Sequence, residues 1–545
     1  MKNMLILAGL AACSLSLAGQ TTIQDGDLVG GQTYNWVNTE EYLLDGFVFL
    51  EAGSTLNIEA GTVIRGKETP TTGDNASALI ITRDARIVAD GTSSDPIIFT
   101  AEFDDLADPT DLIASDLGLW GGLILLGNAT IGFSAPEGNI EGIPTSEVRG
   151  FYGGTDDADD SGILRYVSIR RGGAALSTGN EINGLTLGAV GNGTVIEYVE
   201  VSYNDDDGIE WFGGTVDCKW CVVNFCADDA FDFDQGWRGR GQFWFSLQGE
   251  NAGDNAGEHD GANPDGAIPF SKPTIYNATY IGSGLGASAQ NANALLMRDA
   301  TGGTYANSIF TEFANFALEV EDLPAASGVD SRQRMEDGDM SFLNNIWWHF
   351  GEGTELNAGD NGILAATPEA EDATAQFLID HLVANSNSLE SPQLNSIGRG
   401  PGGGLDPRPA ASGPAYSNLA TEPADAYFSD VDYKGAFGDN LWIQGWTALA
   451  QEGVLAGGAL GQAPVDAVAL GLTLAPNPAS QTAMVNLPEG NGSLRIVDLL
   501  GRTVLQIATA GGQSIVSMRG LTNGSYFLVW ENGRISSSLL FQVQH

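Results

Sequence analysis

The chain is predicted to be all-β: a right-handed parallel β-helix solenoid followed by a small immunoglobulin-like β-sandwich. Three observations predict this. Glycine reaches 73 of 545 residues while Lys and Arg together reach 23, the balance of a chain with many turns between short strands and few strong helix formers. The strand-like hexapeptide Leu164–Ile169 recurs 32 residues later as Ile196–Val201 and 22 residues after that as Cys218–Val223, and repetition at such a period marks stacked coils. From Leu472 the sequence changes to short alternating strands.

At the N-terminus, residues 1–18 read as a signal peptide. Lys2 precedes an apolar run from Met4 to Leu17, too short to span a bilayer, and Ser16-Leu17-Ala18 is a small-x-small site that places cleavage after Ala18. A second reading takes Leu10-Ala11-Ala12-Cys13 as a lipobox, with Cys13 acylated and the protein anchored. No later segment is apolar enough to span a membrane, so residues 19–455 form an exported passenger and 456–471 a linker.

Within the passenger, Gly53–Ile64, Ala78–Thr82, Ala85–Ala89 and Pro96–Thr100 keep a rhythm of short strands broken at Gly or Asp. Downstream coils are expected at Tyr276–Ile281, Tyr305–Phe310 and Leu343–Trp347, each with an Asn before the strand. Such residues stack and hydrogen-bond up a solenoid, a structural role. Two departures from the rhythm stand out. Residues 368–389 place Ala373, Phe377, Leu378, His381 and Leu382 at helical spacing, a helical lid or cap insertion, and the acidic Gly-rich stretch Gly249–Gly266 reads as an excursion from the stack.

The 22-residue register makes one constellation sharp. Asp206-Asp207-Gly208-Ile209-Glu210-Trp211 lies over Asp228-Asp229-Ala230-Phe231-Asp232-Phe233, and equivalent residues of adjacent coils sit about 4.8 Å apart. Ile209 over Phe231 and Trp211 over Phe233 continue the core. Asp206 over Asp228, Asp207 over Asp229 and Glu210 over Asp232 make columns of like charge, each pair costing about 1 kcal/mol in water. Bound Ca²⁺ on Asp206, Asp207, Glu210, Asp228, Asp229 and Asp232, raised carboxyl pKa values, or the cations Arg238 and Arg240 would offset that cost. Turn aspartates splayed into solvent are the alternative. A second acidic loop, Asp156–Gly162, opens like a calcium loop but has Ser168 where a twelfth-position acid belongs, and reads as a solvated turn.

Cys218 and Cys221 fall on the core positions of Ile196 and Val199 and read as core thiols rather than zinc ligands, because no His or fourth Cys lies nearby; Cys226 is left open. Trp211, Trp220, Trp237, Trp244, Trp347 and Trp348 are read as core or flanking residues, or as platforms for sugars if exposed. The net charge of −47 sits in the passenger, since residues 472–545 carry four Arg against Glu489, Asp498 and Glu531. Such a surface excludes nucleic acid as a partner and keeps the chain soluble.

At the C-terminus, Leu474-Ala475-Pro476-Asn477-Pro478-Ala479, then Leu494-x-Ile496-x-Asp498-x-x-Gly501, then Leu521-x-x-Gly524-x-Tyr526 resemble the type A sorting domain of the type IX secretion system of Bacteroidetes. The two prolines hold an extended entry and Asp498 to Gly501 reads as a hairpin turn. The resemblance implies that residues 472–545 are the address read by that machinery, and that the protein is secreted or displayed on the outer membrane. The passenger, through Gly208–Val216 and Asp228–Asp234, resembles uncharacterised Bacteroidetes surface proteins with β-helix repeats, which imply a fold and no chemistry. The expected function is an adhesive, glycan-binding or structural module with calcium as its one candidate cofactor. The alternative is a carbohydrate-active enzyme, a polysaccharide lyase or glycoside hydrolase, using the face from 206 to 234 with Asp207 and Asp229 as acid and base and Arg238 as an anion contact. The sequence has no serine-hydrolase elbow, no metalloprotease helix and no His pair.

Overall fold

The computed structural model describes residues 19–545 apart from 177–180, 251, 288–292, 325–326, 369, 457–471, 488–491, 498–502, 510 and 532–535. The expected signal peptide with Cys13, nearly all of the expected linker, and the expected turn at Asp498 to Gly501 lie outside the described residues.

Each coil is built from three short parallel strands. A first set runs from Thr33–Trp36 to Met340–Leu343, a second from Gly19–Ile23 to Ser388–Leu389, and a third from Phe47–Leu50 to Leu364–Pro368. The first two sets run on through a corner and join in one 19-stranded sheet, while the third is a ten-stranded sheet of its own. Coils wind right-handed, the hand that twisted strands impose on parallel crossovers. The sequence repeat is the hydrogen-bonded register: Leu164 pairs with Ile196 and Ile196 with Cys218, while Val167 pairs with Val199 and Val199 with Cys221.

Alternation then fills the interior. Leu164, Val167, Ile169, Ile196, Val199, Val201, Cys218, Cys221 and Val223 are all buried in one continuous core, each worth about 1.5–3 kcal/mol for a full-sized aliphatic side chain. Cys226 joins the same core, and all three thiols are free. Trp211, Trp237, Trp244 and Trp347 stack inside the solenoid, with Trp211 and Trp244 ring centroids 5.2 Å apart. Trp220 lies on the outer corner and Trp348 is 38 % exposed.

The corner between the first two strand sets is one residue in the left-handed region: Tyr166, Tyr198, Trp220, Phe243, Asn277, Asn307 and Asn344 have φ between 48° and 60°. Asparagine tolerates that conformation, whereas an aromatic is strained by about 1–2 kcal/mol there. Stacking outside the coil offsets the strain, with centroids 4.4 Å apart for Tyr166 and Tyr198, 4.6 Å for Tyr198 and Trp220 and 5.7 Å for Trp220 and Phe243. Asparagines bond up the solenoid, as read from sequence: Asn277 Oδ1 accepts from Gln242 of the preceding coil at 3.1 Å and Asn345 Oδ1 from the Ser308 N–H at 2.8 Å. The corner asparagines also point their Nδ2 groups sideways. Those of Asn277, Asn307 and Asn344 each donate, at 2.8 Å, to the carbonyls of Tyr433, Ala420 and Asn418.

Those carbonyls belong to residues 390–455, which add no coil. They form a strap that returns along the outside of the second strand set. Phe437, Ile443, Trp446 and Leu449 on the strap bury Val222, Phe245, Leu247 and Ile281 in a second apolar cluster. An insert at 127–161, carrying the antiparallel pair Gly138–Asn139 and Phe151–Tyr152, covers the early part of the third set, where Phe49, Ile80, Ile124 and Leu126 pack on Ile140, Ile143 and Tyr152.

The helix expected over 368–389 is confined to Gln376–Ala384, because Leu364–Pro368 is still a strand. Its Leu378 and Leu382 are fully buried on the last coil, so it caps the core, as a cap insertion would. Gly249–Gly266 is not an excursion: Gly257–His259 within it is a strand of the third set, paired with Phe231–Phe233 on one side and Leu296–Met297 on the other. Residues 472–545 fold as two antiparallel sheets of three and four strands around Leu474, Val485, Ile496, Leu528, Trp530 and Phe541. Among the described residues no helix is long and apolar enough to cross a membrane.

Candidate carboxylate site

The third strand set carries the charges that the sequence register brings together. Ile209 pairs with Phe231 and Trp211 with Phe233, facing inward, while Glu210 pairs with Asp232 on the outer face. The coil that sequence reading missed adds Glu258 opposite Asp232. Just before each strand, the turn stacks Asp206, Asp228 and Asp254 in one column and Asp207, Asp229 and Asn255 in the next. The Asp229 N–H donates to Asp207 Oδ1 at 3.0 Å, and the Asn255 N–H donates to Asp229 Oδ1. The missed residues had a legible signal: Asp254-Asn255-Ala256-Gly257-Glu258 repeats Asp228-Asp229-Ala230-Phe231-Asp232.

Four triplets of carboxylates have oxygens within 4.8 Å of one another: Asp206, Asp207 and Asp228; Asp207, Glu210 and Asp232; Asp228, Asp229 and Asp254; Asp229, Asp232 and Glu258. All six residues of the expected calcium set are among them. Asp207, Glu210 and Asp229 are buried, Asp206, Asp232, Asp254 and Glu258 half-buried, and Asp228 exposed. Burial pushes Glu258 up to about 7 against the lowering pull of Arg298, and burial, then the neighbouring carboxylates, pushes Asp206 up to about 8 and Asp254 to about 6. The same causes hold Asp207, Glu210, Asp229 and Asp232 well above the ordinary carboxylate range.

The cations expected to relieve this crowd are engaged elsewhere. Arg238 pairs with Asp157 at 3.3 Å, in the loop read as a solvated turn, and Arg240 pairs with Asp217 and with Asp425 of the strap. The cation on this face is Arg298, from the next coil, which holds Asp260 at 2.7 Å and also Glu258. Beneath the face, His259 is buried against Phe233 with centroids 3.8 Å apart, its Nε2 2.8 Å from the Tyr305 hydroxyl. Burial holds it down at about 3, a neutral core imidazole rather than a proton donor to the site.

Several oxygens in and beside the ladder meet no donor among the described residues. Asp232 Oδ1, Asp254 Oδ1, Asn183 Oδ1 and Asn255 Oδ1 are buried atoms without a hydrogen-bond partner. A buried acceptor left unpaired costs about 1–3 kcal/mol, and a set made only of oxygen acceptors is what a hard cation such as Ca²⁺ satisfies.

Residues 30–375 match the family model described as a pectate-lyase like beta helix domain, and residues 473–542 match the secretion system C-terminal sorting domain. No curated protein matches the chain. Among solved structures, full-length tailspike protein 2 from Escherichia coli O157:H7 bacteriophage CAB120 matches at 10 % identity and a TM-score of 0.21, over 93 % of this chain and 64 % of the tailspike. The chain therefore spans less than two thirds of the tailspike's length.

Proposed function

We propose that this chain, which belongs to the family of pectate-lyase-like β-helix domains, acts as a surface binding module whose contact face is the acidic stretch of the third strand set, with calcium as part of that face. Its sorting domain makes it a secreted β-helix protein addressed to the type IX machinery, destined for release or for the outer-membrane surface. The single observation that carries the reading is the carboxylate ladder over three successive coils, with Arg298 alone as its salt-bridged cation among the described residues.

The rest of the architecture supports this choice of face. The strap closes the outside of the second strand set and the insert closes the third set as far as Phe212, while Asp232, Glu258, Asp260 and Arg298 farther along are half-buried. Carboxylates accept from sugar hydroxyls, and a calcium ion held by them can complete its six to eight oxygen ligands with hydroxyls of a neutral glycan. An adhesive or glycan-binding role therefore fits better than one toward uronate polymers, which the negative field repels.

A carbohydrate-active enzyme on the same face is favoured by one observation, the carboxyls shifted toward neutrality beside Arg298. In that reading Asp207 and Asp229 remain the acid–base candidates and Arg298 takes the place of Arg238. One experiment separates the readings: a glycan panel assayed for binding and for turnover, in calcium and in chelator. Calcium-dependent binding without turnover is expected. Turnover abolished by Asp229→Ala in a folded variant would replace the binding module with the enzyme. Binding and thermal midpoint both indifferent to chelator would remove calcium.

A further inference from the structure

The column through Asp207 and Asp229 changes residue type along the solenoid, and the change has a chemical meaning. It runs Asn183, Asp207, Asp229, Asn255, Asn293. Wherever it is Asn, the side-chain amide donates to the strand carboxylate: Asn183 Nδ2 to Glu210, Asn255 Nδ2 to Glu258 at 3.2 Å, and Asn293 Nδ2 to Glu319 at 3.0 Å. At the two Asp coils the column position itself carries no amide, although the Asp207 coil's Glu210 still receives the Asn183 Nδ2. Asp207 instead faces Glu210 and Asp232, and Asp229 faces Asp232 and Glu258, acceptor against acceptor. An Asn at both positions would extend the amide pattern of the flanking coils, whereas each aspartate accepts one backbone N–H, Asp207 from Asp229 and Asp229 from Asn255, and otherwise meets carboxylates, a crowd that a cation would relieve.

A second observation lies at the two ends of this run. Asn183 and Asn255 are each only 1 % exposed, each has its Nδ2 on a ladder carboxylate, and each leaves its Oδ1 without a donor. Two ligands on opposite sides of one calcium ion, at 2.3–2.6 Å each, lie about 5 Å apart, and the carboxylate oxygens of each triplet fall within 4.8 Å of one another.

We propose that the ladder holds two calcium-class divalent cations in tandem, one per coil step: the first on Asp207, Glu210 and Asp232 beside Asn183, the second on Asp229, Asp232 and Glu258 beside Asn255. Asp232 belongs to both triplets and bridges the ions, which stack at about the 4.8 Å coil repeat. The site is short because the column reverts to Asn on either side. This deepens the calcium reading above and rests on it. Calcium is preferred to magnesium because shared, crowded carboxylates suit a large ion of adaptable coordination, whereas magnesium demands an octahedron and keeps its waters.

The test uses the whole exported protein, stripped with chelator, titrated calorimetrically with calcium chloride, and assayed for retained calcium by atomic emission. The wild type should take two ions per chain. Asp207→Asn should lose the first and keep one, and Asp229→Asn or Glu258→Gln should lose the second and keep one. The double variant Asp207→Asn, Asp229→Asn should take none, with unchanged circular dichroism, since Asn is the residue the column itself uses elsewhere. One ion in the wild type, or loss of both ions in either Asn variant, overturns the tandem site while leaving the calcium reading in place. No ion in the wild type overturns both.

Discussion

Replacing Asp229 by Asn should change the sign of its effect on stability with the presence of calcium. In chelator the native carboxylate stands within 4.8 Å of oxygens of both Asp232 and Glu258. A charged pair at that distance repels by about 0.9 kcal/mol in water and about 3.5 kcal/mol at an effective dielectric of 20. Proton uptake by the crowded carboxyls relieves part of this, leaving a net gain for the variant of about 1–3 kcal/mol. The amide keeps an oxygen for the Asn255 N–H and adds a donor toward Glu258, as Asn255 itself does. In calcium at a thousandfold excess over Kd, an ion that binds only the native state contributes about 4.1 kcal/mol, which Asp229→Asn forfeits, so the variant falls about 1–3 kcal/mol below wild type. Urea unfolding at neutral pH in EDTA and in calcium chloride measures both arms. A variant less stable than wild type in EDTA would refute the reasoning, because it would mean that the carboxylate already has its partner within the chain.

Two further predictions concern the strap. Asn307 grips Ala420 from both sides, its Nδ2 donating to the carbonyl at 2.8 Å and its Oδ1 accepting from the N–H at 2.7 Å, with φ at 51°. Asn307→Ala should cost about 3 kcal/mol, from two hydrogen bonds and the left-handed penalty, and Asn307→Gly about 1–2 kcal/mol less than that; urea unfolding and protease cleavage within 390–455 read the difference. Lys434 is 2 % exposed, and burial lowers it from 10.5 to about 8. A group depressed on folding stabilises fully above its unfolded pKa and loses that contribution as pH falls through the folded value. Lys434→Met should therefore exceed wild-type stability by up to about 3 kcal/mol near neutrality, with the advantage fading between pH 8 and 10.5. An advantage constant with pH in paired urea curves would show that packing, not charge, is responsible.

The sequence by itself determined the class of fold and the axis of the site. A parallel stack couples residues one coil apart, so a period visible in Leu164–Ile169, Ile196–Val201 and Cys218–Val223 is already a contact map. That map placed Glu210 over Asp232 and Trp211 over Phe233 as the structure pairs them. The C-terminal motifs pointed to a sorting domain by their resemblance to a known family, which the match over residues 473–542 bears out, and the coil register put Cys218 and Cys221 in the core. Legibility stopped where the period stretched. Asp254 and Glu258 follow Asp228 and Asp232 at 26 residues rather than 22, and glycines around them read as a loop although the strand is held from both neighbours.

Only the tertiary structure decided what covers the solenoid and where its cations go. Arg238 is near the site in sequence yet serves Asp157, while Arg298, more than 60 residues beyond Asp232, reaches Glu258 because a strand position recurs one coil later. The strap carries no repeat, so nothing local announces that Trp446 returns to stack edge-on against Tyr166 and Tyr198. Periodicity encodes neighbours along the stack; contacts across its outer faces are long-range and aperiodic, and they are set by packing alone.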